Sequence, residues 1–364
     1  MSETKINIGP IHPSTHGVLR LVVTVDGDTI KEVEPHIGFL HRGVEKLAES
    51  RMYMQNIVYM EKLDYAAPMA HQELYVSTVE KLLGIEVKER AEYVRVVLLE
   101  LQRIASHLLW LGTMCNDIGQ MFSMFMWTMR DRDMILRLLQ EATGQRMFYV
   151  NMRLGGVNRD LPAGFEDDTY KVLDSIEHSL GEYKDFLESN PVFMERLKNV
   201  GVLSRENAIR LGVTGPVLRG SGIDYDVRRN SSYYKYTKLG FRPAVETGGD
   251  SFARYKVRMK EMQESISLVR KALEEMPKGD ALGLPIKLIG AVPKEKEAIV
   301  KRELPRGEGM MYMVADKQRP YRLAIRAPAF INLAALDHIS RGQRLADLFA
   351  ILGSLDLVMA DVDK

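Results

Sequence analysis

Three places along this chain bring together side chains able to handle protons. The first is residues 9–17, GPIHPSTHG, where His12 and His16 stand four apart on a loop whose prolines and glycines fix an irregular backbone. A neutral imidazole donates one hydrogen bond and accepts another, so it suits proton exchange with an oxygen. Loop histidines are also often only solvated, and that reading stands beside the first. The second place is Asp117, the only charged side chain between Leu108 and Trp127. A carboxylate in so apolar a stretch is expected to be buried, and must then meet a histidine, an arginine or a proton of its own. The alternative is a cap or bend near Gly119 in which the carboxylate binds local backbone. The third is Lys62-Leu63-Asp64-Tyr65. A phenol on an apolar body suits a greasy pocket with one polar point, although by residue type alone Tyr65 reads more plainly as a core tyrosine.

Composition narrows the chemistry. The 364 residues suggest more than one ordinary domain and fewer than three. Lysine and arginine number 50 against 49 aspartates and glutamates, so no basic footprint for nucleic acid exists and none is expected as a partner. A single cysteine, Cys115, excludes a disulfide framework and any cysteine-held zinc or iron–sulfur site within the chain, and points to a reducing compartment. The opening residues MSETKINIGP carry no signal-peptide core. Gly220-Ser221-Gly222 lacks the third glycine of a dinucleotide loop, no GxxxxGK[ST] occurs, and HExxH and GxSxG are absent. Nucleotide binding, NAD(H) included, and common hydrolase chemistries therefore lose their footing. Residues 108–127 are long enough to cross a bilayer. Their Asn, Asp, Gln, Thr and Ser argue instead for buried core, and the Met121, Met124, Met126, Met129 stripe for packing.

The elements that must position these residues read as strands, then helices, then strands. Residues 4–37 predict a small antiparallel sheet turning at Asp26-Gly27-Asp28. Helical periodicity predicts helices over 89–107, 129–142, 166–189, 204–211 and 250–276, with Gly84 ending an earlier one. On the first of these Glu92, Arg95 and Arg103 fall off the apolar stripe. The helix at 250–276 is so charged that it predicts a solvated or subunit-facing surface. Residues 153–164 and 214–229 predict long loops. Strands are expected at 285–292, 309–315 and 320–326, with a short helix at 343–351 before the tail. The fold class is α+β: a mainly helical body over 41–280, an N-terminal β segment over 1–40, and C-terminal β elements with a helix and tail over 281–364.

Several segments together resemble one family: residues 9–17 (GPIHPSTHG), 38–51 (GFLHRGVEKLAESR), 105–112 (ASHLLWLG), Gly155-Gly156, 215–222 (GPVLRGSG), Arg306-Gly307-Glu308 and 354–364 (SLDLVMADVDK). The chain is similar, end to end, to the D-type component of respiratory complex I, the proton-translocating NADH–quinone oxidoreductase. Its relatives include deazaflavin- and ferredoxin-linked complexes, and the ancestor is the large subunit of nickel–iron hydrogenases. Against the two hydrogenase CxxC pairs, this chain carries Asp64 and Ala67 early and Val358 and Asp361 in the tail. The soft thiolates that select nickel and iron are gone, so no nickel or other metal is expected.

The resemblance implies a hydrogenase-like helical fold and a quinone head-group site in the vacated cavity. Within it His16 and Tyr65 would hydrogen-bond the quinone carbonyls, and Asp117 would pair with His16. Electrons would come from a 4Fe–4S cluster in a partner subunit, since this chain lacks the cysteines to hold one. Lys62 stands where relatives carry an arginine beside that cluster, and Phe148 about where many carry a histidine. The expected result is a cluster of low potential with little pH dependence, suited to a menaquinone-like acceptor. Implied partners are the B-type iron–sulfur subunit, the C-type subunit, the ferredoxin-like I-type subunit and the membrane H-type subunit. The implied location is the cytoplasmic side of the cell membrane, peripherally bound. Rival readings are a related deazaflavin- or ferredoxin-linked complex reducing another low-potential acceptor, and an assembly subunit without chemistry of its own. The other six histidines, His36, His41, His71, His107, His178 and His338, read as structural or solvated.

Overall fold

The computed structural model describes residues 3–15, 17–119, 122–231, 233–285 and 296–364. Strands β1 (Thr4–Ile8), β2 (Arg20–Asp26) and β3 (Thr29–His36) form an antiparallel sheet in that order. The β-branched run of β2 makes it the centre strand, and Gly27 at φ 63° closes the tight turn. Leu21, Val23, Ile30 and Val33 from this sheet share a core with Val217, Leu336, Leu348 and Ile351 from the C-terminal half. The GPIHPSTHG loop therefore lies against the tail: the His12 ring stacks on Phe349 with centroids 5.3 Å apart.

The body is helical. Pro68–Leu83 ends at Gly84 (φ 69°), followed by Glu89–Asp117, Phe122–Thr143, Phe165–Glu188 and Ser251–Glu274. The helix expected at 89–107 continues beyond that range, which makes Asp117 its last residue. The short pairs β4 (Met152–Arg153) and β5 (Gly156–Val157) interrupt the loop at 153–164. A second antiparallel sheet follows in the order β6 (Glu297–Leu304), β7 (Gly307–Asp316), β8 (Arg319–Arg326). Its inner residues Val300, Met311, Met313, Leu323 and Ile325 join the helical core. The strand expected at 285–292 falls almost wholly on residues 286–295, outside the described residues, while β6 went unpredicted. The short helix expected at 343–351 is Asp347–Leu355.

Four expectations need correction, and one cause underlies most of them: charged side chains here are inside. The helix Ser251–Glu274 has the wet face its charges suggest, with Lys260, Gln263, Lys271 and Glu274 exposed, but Arg254, Arg258 and Glu261 are buried on its other side. Arg95 and Arg103, expected off the apolar stripe, are buried as well; Arg95 meets Glu80 at 2.6 Å and Arg103 meets Glu100 at 3.0 Å. Residues 214–229 are not simply loop but contain the helix Gly215–Gly220 and most of Val227–Asn230, which carry Arg219 and Arg228 inward. Paired guanidiniums tolerate this burial, whereas a hydropathy pattern scores them as exposed.

The fourth correction concerns residues 108–127. The first half is core, but past Gly119 (φ 77°) the next helix turns an apolar face outward, with Phe122 72% and Met126 52% exposed. Of the described members of the methionine stripe, Met124 is buried, Met129 half-buried and Met126 exposed, so the stripe is only partly packing. Trp127 meets Phe186 edge-on on the same face, 5.4 Å between centroids. Among the described residues no helix is long and apolar enough to cross a membrane.

Candidate functional site

The C-terminal end of Glu89–Asp117, the turn before Pro68–Leu83, the β6–β7 turn and the tail converge on one cavity of about 340 Å³. Leu109, Trp110, Leu357 and Val358 give it apolar walls; Tyr65, Asp117, Arg306 and Asp356 bring polar groups to it. Pro13 of the GPIHPSTHG loop also reaches its edge.

The cavity gathers two of the candidates read from the sequence. Tyr65 is not a core tyrosine: it sits in the turn after Asp64 and is 41% exposed, facing the cavity. Burial of its surroundings pushes the phenol above its ordinary range, while the positive charge of Arg306 pulls it back. Asp117 lines the same cavity, half-buried rather than enclosed, because it terminates its helix at the cavity wall. A Cβ added at Gly353 would come within 3.2 Å of its Oδ2, so the bare glycine leaves room for the carboxylate. His16 lies outside the described residues. Lys62 does not line this cavity; its Nζ sits 3.4 Å from the centroid of the Phe148 ring and 2.8 Å from Glu61 Oε1. The two positions read as departures from the family thus touch each other, and Phe148 adopts φ 56° beside that contact, a conformation bulky side chains rarely take.

Asp64 and Asp361, which the sequence reading set against the hydrogenase CxxC pairs, are buried and lie close to charged partners. Asp64 Oδ1 accepts from the backbone N–H groups of Ala66 and Ala67 at 3.0 and 3.2 Å, and Oδ2 meets Arg306 at 2.6 Å. Asp361 Oδ1 lies 2.9 Å from His71 Nε2. Among the described residues no three His, Cys, Asp or Glu side chains converge as a metal would require.

Sequence reasoning missed the charges behind the cavity. Arg306 bridges Asp64 and Asp356, the latter at 3.3 Å. Deeper, Arg219 meets Glu261 (2.6 Å), Glu303 (2.8 Å) and Asp226 (3.1 Å); Arg228 meets Asp226 (2.8 Å) and Glu100 (3.2 Å); Glu261 meets His107 Nε2 (2.8 Å). The only available signal was that Arg219 and Arg306 lie in the quoted motifs GPVLRGSG and Arg-Gly-Glu. There two glycines touch: a Cβ on Gly215 would sit 2.3 Å from the Cα of Gly307. The helix carrying Arg219 and the turn carrying Arg306 are therefore in backbone contact.

In this deeper group Glu100, Asp226, Glu261 and Glu303 face Arg103, Arg219 and Arg228, one carboxyl more than the guanidiniums can neutralise. Glu303 takes the proton: burial and the neighbouring Asp226 push it up to about 7 against the opposing pull of Arg219, Arg228 and Arg103. Glu100, by contrast, is driven down to about 2, because Arg103 and Arg228 outweigh its burial. A carboxyl whose folded value is raised from 4.5 holds its proton more tightly folded than unfolded. Its contribution to stability is whole below the unfolded value and is lost as pH climbs through about 7. Glu303→Gln is therefore expected to flatten the fall in melting temperature between about pH 5 and pH 8. Thermal unfolding of wild type and variant across that range checks it, and parallel curves would refute it.

Comparisons with known proteins bear on the whole chain. The family described as respiratory-chain NADH dehydrogenase, 49 kDa subunit, matches residues 117–364. The D-type subunit of the NADH-quinone oxidoreductase of Dehalococcoides mccartyi is 44% identical, with 99% of this chain and 98% of that protein aligned. Its counterpart in Geobacter sulfurreducens is 41% identical over the full length of both. The H 1 subunit of the NAD(P)H-quinone oxidoreductase of Gloeobacter violaceus is 42% identical, covering 99% and 97%.

Proposed function

Because the chain belongs to the family of the 49 kDa subunit of respiratory-chain NADH dehydrogenase, the D-type component of complex I, we propose that its cavity receives a quinone head group and is where that quinone is reduced. The observation that carries this is the pairing of a half-exposed phenol, Tyr65, with a carboxylate, Asp117, on one largely apolar cavity. Its volume, about 340 Å³, suits a small-ligand site. A quinone accepts two electrons and then needs a proton on each of two oxygens. The Tyr65 phenol donates to one. His16, oriented and made more basic by Asp117, donates to the other. Apolar walls keep water from competing and strengthen both hydrogen bonds.

Electrons arrive from a 4Fe–4S cluster held by the B-type partner subunit. The C-type, I-type and membrane H-type subunits complete the assembly on the cytoplasmic face of the cell membrane, and NAD(H) binds elsewhere in it. The outward face of Phe122, Met126 and Trp127 is the kind of apolar patch such contacts cover. Substituting His16 or Tyr65 in the assembled complex tests the reading. Loss of quinone reduction with assembly intact supports it, and unchanged turnover would make the chain a scaffold.

Lys62 stands on the side of the partner's cluster in this reading. Its charge is shared with Glu61 and the Phe148 ring, and neither position carries an imidazole that would titrate near neutrality. The cluster's midpoint potential is expected to be low and nearly flat with pH. A redox titration followed by electron paramagnetic resonance at several pH values measures this. A slope near the roughly 59 mV per pH unit of a one-electron, one-proton couple would overturn it.

A further inference from the structure

Of the described residues lining the cavity, Arg306 carries the only positive charge, against Asp117 and Asp356. It is 3% exposed and tightly held. Nη1 donates to Asp64 Oδ2 at 2.6 Å and to Ser106 Oγ at 3.3 Å, and Nη2 donates to Asp356 Oδ1 at 3.3 Å. Its backbone carbonyl accepts from Asn332 Nδ2 at 3.1 Å. Asp356 is itself fixed at φ 56°, a left-handed conformation unusual for a residue other than glycine, at the end of Asp347–Leu355. Such strain persists only where surrounding contacts enforce it. Asp64, the nearest of these partners to the Arg306 guanidinium at 2.6 Å, is the residue immediately before Tyr65.

We infer that Arg306 is a positioning residue for Tyr65: through Asp64 it fixes where the phenol points, and its charge steadies the phenolate left when Tyr65 gives up its proton. The inference rests on the cavity being the quinone site. Two electrons would reach the quinone one at a time from the partner's iron–sulfur cluster; the Tyr65 O–H bond breaks as an O–H bond forms on one quinone oxygen, His16 gives the proton that forms the second O–H bond on the other, the product is the hydroquinone, and protons from solvent restore both side chains. The charged groups facing the phenol are Arg306, which favours its ionisation, and Asp64 and Asp356, which oppose it; Asp117 lines the same cavity. Without the guanidinium's fixed geometry Tyr65 is a poorer acid, so the loss falls on kcat rather than on binding.

The test is a double-mutant cycle in the intact membrane complex, using Arg306→Lys and Arg306→Gln with and without Tyr65→Phe. Arg306→Lys is expected to lower kcat for quinone reduction about tenfold, with KM within about threefold of wild type and the alkaline limb of the pH profile moved to higher pH. In the Tyr65→Phe background the same change is expected to cost less than about twofold, because the group it serves is already gone. Arg306→Gln is expected to lose more than Arg306→Lys; if it prevents assembly, the lysine cycle decides alone. Equal losses in both backgrounds, or an unmoved pH profile, would overturn the inference and leave Arg306 a structural bridge. A Tyr65→Phe complex with unchanged turnover would instead overturn the quinone reading itself.

Discussion

Tyr65→Phe is expected to slow quinone reduction by about 10²–10⁴-fold in a complex that still assembles. The change removes one oxygen and keeps the ring. That oxygen belongs to a side chain 41% exposed to a cavity, so no buried core contact is lost and stability should hold. Under the proposed function, what disappears is the donor at one end of the acceptor. A two-electron reduction places charge on both oxygens, and a hydrogen bond that strengthens as charge develops acts on the transition state rather than on binding. The signature is a fall in kcat with KM less affected, measured with a short-chain quinone in membranes while assembly is followed by native electrophoresis. A rate within about twofold of wild type would mean the phenol takes no part.

Arg219→Met carries the largest structural penalty. Arg219 is fully buried and serves three carboxylates at once, those of Asp226, Glu261 and Glu303, within 3.1 Å. Removing one partner of a buried ionic group costs about 3–5 kcal/mol, because the charges left behind have neither water nor a counter-ion. That is a large share of the roughly 5–15 kcal/mol by which a folded domain is stable. Thermal unfolding is expected to show a large drop, or the complex to lose this chain altogether. Adding Glu303→Gln should recover little of the loss, since Glu303 already holds a proton and the stranded charges are those of Asp226 and Glu261. A variant melting within a degree or two of wild type would show that the cluster reorganises around the gap.

What the sequence revealed of this arrangement follows from what patterns can carry. The N-terminal sheet was readable because β2 is a dense β-branched run and Gly27 closes its turn. Phe165–Glu188 and Arg205–Leu211 were readable from helical periodicity to within a residue at each end. Tyr65 and Asp117 were singled out by type and context, and both lie on one cavity. Arg306, Asp356 and the group around Arg219 could not be found this way. Each is a charge that looks wet until a partner from a remote segment is brought to it: Arg219 meets Glu303 across 84 residues, and Arg306 meets Asp64 across 242. Spacing within a segment says nothing about such partners. For the same reason the buried Arg254, Arg258 and Glu261 of Ser251–Glu274 were not foreseen, and Asp117 was expected to be more enclosed than a helix end at a cavity wall can be.

The meeting of Gly215 with Gly307 has an evolutionary corollary. Main chain rests on main chain there, so neither site can accept even a methyl group without prying the two motifs apart, and a compensating change at one cannot rescue a side chain at the other. Drift at either position is barred independently. A chain that replaced one of them would have to rebuild the corner joining the Tyr65–Asp117 cavity to the buried charges around Arg219.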